Sequence, residues 1–180
     1  MTLATEKNYI DFKADRYIEE KKGLISFKEI KKIYFIFWAA FNFDVIHFNF
    51  GSTISAPRLT TGNRAFNIFF WLNIAYRDVL QIFELFLYKI RGIKLLVHYQ
   101  GSDARIAEFC INEHKINYFR RIDNKYYKIN DFLKKRYIRR LDKFCNNIFA
   151  VNPDLLNNLP DRAVFIPYCH ISLDEWVPCY

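Results

Sequence analysis

Residues able to meet a ligand gather at the end of one apolar run, Lys94-Leu95-Leu96-Val97-His98-Tyr99-Gln100-Gly101-Ser102-Asp103. Gln100 and Ser102 offer neutral hydrogen bonds, Asp103 a carboxylate, and His98 a group that titrates near neutrality. A similar edge occurs earlier, where Asn49-Phe50-Gly51-Ser52-Thr53 follows Asp44-Val45-Ile46-His47-Phe48. Each candidate has a structural rival. Side chains alternate along a strand, so His98 could point into a sheet. Ser102 or Asp103 could cap the helical pattern that opens at Ala104. The candidate substrate-binding set is Asn49, Gly51, Ser52, Thr53, His98, Gln100, Gly101, Ser102 and Asp103.

The elements that must position these residues follow from period and punctuation. Leu95 to Val97 form a short continuous apolar run between Gly92 and Gly101, the pattern of a strand buried on both faces of a parallel sheet. In open parallel sheets ligands bind beyond the carboxyl ends of the strands, which is where both polar edges fall. Strands are expected near 44–49, 93–98, 147–151 and 163–166, all parallel, with helices on both faces. Ser26-Phe27-Lys28-Glu29 fits a capping box for a helix over about 27–41. Its stripe of Phe27, Ile30, Ile33, Tyr34, Trp38 and Phe41 should pack on the sheet.

A long aromatic helix is expected from about Arg64 to Arg91, ended by Gly92, with Arg77, Asp78, Gln81 and Glu84 arguing against a membrane span. Further helices are expected at 104–110, at 130–143 and after Asn152-Pro153, with Asn152 as cap. The loop to Asn63, with Pro57, Arg58 and Thr60 to Gly62, is either a flap or a plain connection.

With 180 residues, 52% apolar and 19% aromatic, the chain suits one well-cored domain. Twenty-seven basic residues against 19 acidic give a net charge of +8, which favours anionic partners. The basic residues concentrate at 120–143, where Lys134, Lys135, Arg139 and Arg140 are candidates for contact with a membrane or another anion, the rival being a solvated helix face. Cys110, Cys145, Cys169 and Cys179 form no Cys-x-x-Cys pair, so neither a disulfide framework nor a zinc ribbon is indicated, and no metal site is expected. There is no Gly-x-Ser-x-Gly elbow, which argues against an α/β-hydrolase. No signal-peptide pattern and no uncharged run of roughly 18 residues is present, so a cytoplasmic protein, peripheral on the inner face of the membrane, is expected.

Four motifs occur in a telling order: Phe43 to Phe48, Lys94 to Asp103 with its Gly-Ser-Asp, Ile148-Phe149-Ala150-Val151-Asn152-Pro153-Asp154-Leu155, and Phe165-Ile166-Pro167-Tyr168. In this order they resemble the N-terminal Rossmann-like domain of retaining glycosyltransferases of the two-domain GT-B architecture, over about residues 26–178. The resemblance implies an α/β, three-layer, mostly parallel fold. It also implies an acceptor-binding role in glycoconjugate or surface-polysaccharide assembly. On that reading residues 1–25 stay unassigned, 26–168 form the domain, and 169–180 lead towards a C-terminal domain that would grip the nucleotide-sugar.

No cofactor is expected in the chain itself, which should be inactive alone. The implied partners are a sugar or lipid-linked acceptor, an anionic membrane surface, and a C-terminal glycosyltransferase domain in cis or trans. Nucleic acid is not expected as a partner, although a basic module binding anionic lipid or nucleic acid is the alternative reading. The chain departs from the family pattern in three ways: no glycine-rich first strand before residue 26, Gln100 where a histidine is common, and Asn49 at another position that is often histidine. No Glu-x7-Glu pair and no Asp-x-Asp motif is present.

Overall fold

The computed structural model describes residues 3–4, 16–17, 25–56, 68–121 and 124–167. The Pro57–Asn63 loop, the start of the long helix before Ile68 and the tail with Cys169, Cys179 and Trp176 lie outside these residues. The elements are β1 (Leu3–Ala4), β2 (Arg16–Tyr17), α1 (Ile25–Asn42), β3 (Val45–Asn49), α2 (Ile68–Ile90), β4 (Lys94–Tyr99), α3 (Ala107–Glu113), α4 (Asn124–Phe144), β5 (Asn147–Ala150) and β6 (Val164–Phe165). Strands β1 and β2 pair in parallel, and the main sheet has the order β3-β4-β5-β6, all parallel. The fold is α/β and Rossmann-like, with the four main strands within a residue or two of their expected positions. Leu96 to Tyr99 stand opposite Asn147 to Ala150, and Phe149 and Ala150 opposite Val164 and Phe165.

The chain divides into two compact units, Met1–Ile46 with Ser52–Leu95 and His47–Gly51 with Leu96–Tyr180, so that β3 and β4 contribute to both. In the first, α1 and α2 pack together through Phe37 against Phe83, with ring centroids 5.8 Å apart, and through a Glu29–Arg77 ion pair. Glu29 therefore serves a partner on α2. The α2 helix ends in a left-handed Gly92 at φ +73°, where the Gly92 N–H donates to the Lys89 carbonyl and the Ile93 N–H to the Tyr88 carbonyl. This closes off carbonyls that a helix end would otherwise leave bare.

One expectation fails here. The α1 stripe Ile30, Ile33, Tyr34 and Phe41 is exposed, and the buried residues are Phe35, Ile36, Ala39 and Ala40. The two small alanines let a backbone approach closely, so packing selected the flatter face and turned the bulkier stripe out. The α2 helix shows the same inversion. Its buried side carries Asp78, Gln81 and Glu84 beside Ile74, Leu85 and Tyr88, while Leu72, Val79, Phe86 and Ile90 are exposed.

In the second unit α4 packs in the ordinary sense, burying Leu133, Tyr137, Ile138 and Leu141. It starts at Asn124, before the expected Asn130. Its last carbonyls are gathered by Arg162, which bonds those of Asp142, Cys145 and Asn146 and pairs with the Asp142 carboxylate at 2.6 Å. The expected helix at 104–110 begins a turn later, because Asp131 of α4 accepts the Ala107 and Glu108 N–H groups at 2.9 and 3.0 Å. That carboxylate supplies the cap that no residue before α3 provides. After β5 the expected helix is a 3-10 segment, Pro153–Asn158, and Asn152 gives it no side-chain cap.

Candidate functional site

The loops that follow β3, β4 and β5 hold most of the polar candidates, and each is shaped by a specific bond. After β3, Phe50 and Gly51 both take positive φ, at 57° and 54°. Gly51 is required twice over, by its positive φ and because a Cβ there would lie 2.3 Å from Cε1 of the Tyr99 ring; its N–H donates to the His98 carbonyl at 3.3 Å. A residue with a side chain would push that ring out of the core. Phe50 itself is exposed, and a bulky residue at positive φ stores backbone strain next to Asn49.

After β4, the Asp103 carboxylate accepts the Gln100 N–H at 3.0 Å and the Gly101 N–H at 2.6 Å. The Ala104 and Arg105 N–H groups then donate to the Gly101 carbonyl, closing the turn. Asp103 thus folds its own loop and is spent on backbone donors, neither capping α3 nor standing free for a ligand. Its effect is to present the neighbouring side chains. Gln100 donates from Nε2 to Oδ1 of Asn49 at 3.5 Å, while Ser102 is exposed. From the loop after β5, Asn152 donates to the Gln100 carbonyl at 3.4 Å.

Arg105 escaped the sequence reading. Its guanidinium approaches Gly101 and pairs with Asp154 at 2.9 Å, with both side chains partly exposed. Its only sequence signal is its place two residues beyond Asp103, too weak to single out one cation among 27 basic residues.

The structure therefore brings Asn49, Gln100, Gly101, Ser102 and Asp103 together, with Arg105, Asn152 and Asp154 added. It withdraws others. His98 is buried, stacked on His47 with centroids 5.7 Å apart and meeting Phe149 edge-on. Burial lowers the pKa of His98, while a hydrogen bond with the Ile166 backbone and the Asp103 charge act the other way. Burial, then the neighbouring His98, lowers that of His47. A neutral imidazole held between aromatic neighbours belongs to the core and does not face a substrate.

Thr53 is buried as well, accepting from Nε2 of Gln81 at 3.2 Å. The chain beyond it is tied to Glu84, whose carboxylate accepts the Ile54 N–H at 3.1 Å, the Ser55 N–H at 2.9 Å and the Ser55 hydroxyl at 2.5 Å. Burial pushes the Glu84 pKa up while these donors pull it down, and burial wins. Thr53 thus holds the loop onto α2 and is not open to a ligand. Ser52 is exposed, its hydroxyl 3.5 Å from the Thr53 carbonyl.

The four basic candidates on α4 also separate. Lys135 and Arg139 are exposed, Lys135 lying 3.4 Å from Glu108. Lys134 donates to the Arg105 carbonyl at 2.8 Å and its pKa is lowered by burial, and Arg140 is buried over the Tyr137 ring. Only half of the expected cationic face is available to a surface. The strand order runs without reversal, so no strand-order switch point lies among the described strands. Among the described residues no cluster of three His, Cys, Asp or Glu could hold a metal, and no helix is long and apolar enough to cross a membrane. Burial raises the pKa of the Cys110 thiol and pushes that of Cys145 up to about 12, as expected of packing residues. The chain matches no protein-family model, no curated protein and no solved structure.

Proposed function

We propose that this chain is an acceptor-binding domain of glycosyltransferase type, which holds a hydroxyl-rich sugar or lipid-linked acceptor on the loops after β3 and β4. The observation that carries the reading is the Gln100–Asp103 loop. Its carboxylate is consumed by backbone N–H groups, and the amides of Gln100 and Asn49 stand together beside an exposed Ser102. Amides and a hydroxyl can donate and accept in the alternating pattern that sugar hydroxyls need. Arg105 is paired with Asp154 and Lys134 is held on the Arg105 carbonyl, so the cluster suits a neutral polyol better than a diphosphate. The motif order from Phe43 to Tyr168 and the parallel sheet support the same reading. The nucleotide-sugar would be held by a second domain, in cis or in trans.

The test is calorimetric titration of the protein with a mixed panel of oligosaccharides and, separately, with nucleotide-sugars. Weak glycan binding that falls about fivefold or more in Gln100→Ala and in Asn49→Ala is expected, each losing on the order of one hydrogen bond. Nucleotide-sugars binding more tightly than every glycan, or glycan binding indifferent to both substitutions, would overturn the reading.

A further inference from the structure

Helix α2 is built inside out. Its exposed side is apolar over almost its whole length, with Asn73 and Lys89 its only exposed polar residues, and Asp78, Gln81 and Glu84 are turned inward. Val79, Phe86 and Ile90 are 68%, 56% and 66% exposed. The α1 stripe continues this surface, because Phe37 of α1 touches Phe83 of α2 and both are more than a third exposed. The helix cannot be rolled over to hide this side, since Glu84 anchors the Thr53–Ser55 segment and Arg77 is paired to Glu29.

Charge selects the occupant. Among the described side chains, the exposed charged ones of α1 and α2 are lysines, Lys31 and Lys89; Lys94 follows after α2, as does Arg91, which lies over the Phe41 ring and donates to the Ala40 carbonyl. The acids of these helices are half-buried, as Glu29, or buried, as Asp78 and Glu84, and the exposed acid nearby is Asp44, whose carbonyl accepts the Lys94 N–H at 2.8 Å, against the four cations. A second copy would bring lysine to lysine on a chain of net charge +8. A protein partner would expect a far more mixed surface, since even the cores of interfaces are about one-third polar in area. An apolar strip edged by cations, with Tyr34, Tyr76 and Trp71 partly exposed on it, fits a bilayer whose headgroups are anionic.

We propose that the outer faces of α1 and α2 form a docking surface for anionic lipid, with both helices lying in the headgroup–acyl boundary and neither crossing it. This goes beyond the glycan-binding reading and assigns the membrane contact to α1 and α2 rather than to the cations of α4. The test uses the full chain with phosphatidylcholine vesicles prepared with and without phosphatidylglycerol. Co-flotation with the mixed vesicles, weaker co-flotation with the neutral ones, and quenching of tryptophan fluorescence by brominated lipid are expected.

The variant Val79→Ser/Phe86→Ser/Ile90→Ser should lose affinity about tenfold or more while keeping its circular dichroism spectrum, because the replaced side chains are exposed. Lys135→Ala/Arg139→Ala should bind within about threefold of wild type. Three results would each overturn the proposal: unchanged binding by the triple-serine variant, no binding or quenching by wild type, or a wild-type dimer that ignores vesicles and is dissociated by the triple substitution. If the triple-serine variant misfolds, single Val79→Ser and the brominated-lipid quenching of wild type decide the matter. Glycan titration is done without lipid, so either reading can fail alone.

Discussion

Helices α2 and α4 are of similar length and similar periodicity, yet they spend their side chains in opposite ways. In α4 the apolar residues Leu133, Tyr137, Ile138 and Leu141 are buried, and Lys135, Arg136, Arg139 and Lys143 face water. In α2 Asp78, Gln81 and Glu84 go in beside Ile74, Leu85 and Tyr88, the segment after β3 bonding Gln81 and Glu84, while Leu72, Val79, Phe86 and Ile90 come out. The difference teaches that a helical period proves a two-faced helix but not which face meets water. A buried carboxylate is tolerable only where donors are arranged for it, as at Ile54 and Ser55. An exposed apolar face calls for a covering phase.

The comparison breaks most sharply at the centre of α4. Leu133 is fully buried, so Leu133→Ala should cost about 2–5 kcal/mol in urea unfolding, through lost burial and the cavity left behind. A cost under about 1 kcal/mol would mean that α4 is not packed as described.

The buried polar side of α2 should come next. Glu84→Ala leaves two N–H groups and a hydroxyl without their acceptor, at about 1–3 kcal/mol. Glu84→Gln keeps an acceptor and isolates the titration. The folded pKa of Glu84 is raised, so the folded state binds the proton more tightly than the unfolded chain. Stability from this group is fully present below the unfolded carboxylate pKa of about 4.3 and is lost as pH rises towards the folded value. The Glu84→Gln variant should therefore gain on wild type as pH is raised through that window. Parallel stability curves for the two proteins would show that Glu84 is charged and well solvated in the fold.

How much of this was legible in the sequence follows from the same contrast. The strands at 45–49, 94–99, 147–150 and 164–165 were readable because apolar runs ending at Gly51, Gly101 and Pro167 admit few alternatives. The Gly92 stop was readable for a similar reason. The orientation of α1 was not, since Ala39 and Ala40 bury well but weigh little in a hydrophobic pattern. The later start of α3 depends on Asp131, a residue 24 positions away, which no local pattern announces. At the candidate site, loop position alone led to Asn49 and Gln100, whose amides stand 3.5 Å apart. Thr53 and His98 were misplaced because their partners, Gln81 and His47, come from separate elements. Arg105 was not singled out because its pairing with Asp154, 49 positions away, has no local signal.

The smallest effect expected is also the most discriminating. Val79 and Phe86 stand on the outer side of α2, exposed, whereas Leu133, Tyr137, Ile138 and Leu141 of α4 are buried. If that side faces water in the lipid-free monomer, Val79→Ser and Phe86→Ser remove little packing, Val79→Ser the less of the two. Serine, valine and phenylalanine have nearly equal helix propensity, so that contribution changes by at most a few tenths of a kcal/mol. Each substitution should therefore change unfolding free energy by no more than about 0.5 kcal/mol, independently of protein concentration. A cost of about 2 kcal/mol or more that grows with protein concentration would mean that the face is already covered in solution by another copy of the chain. A similar cost without concentration dependence would mean that α2 packs with its apolar side inward after all, as α4 does, and the contrast between the two helices would disappear.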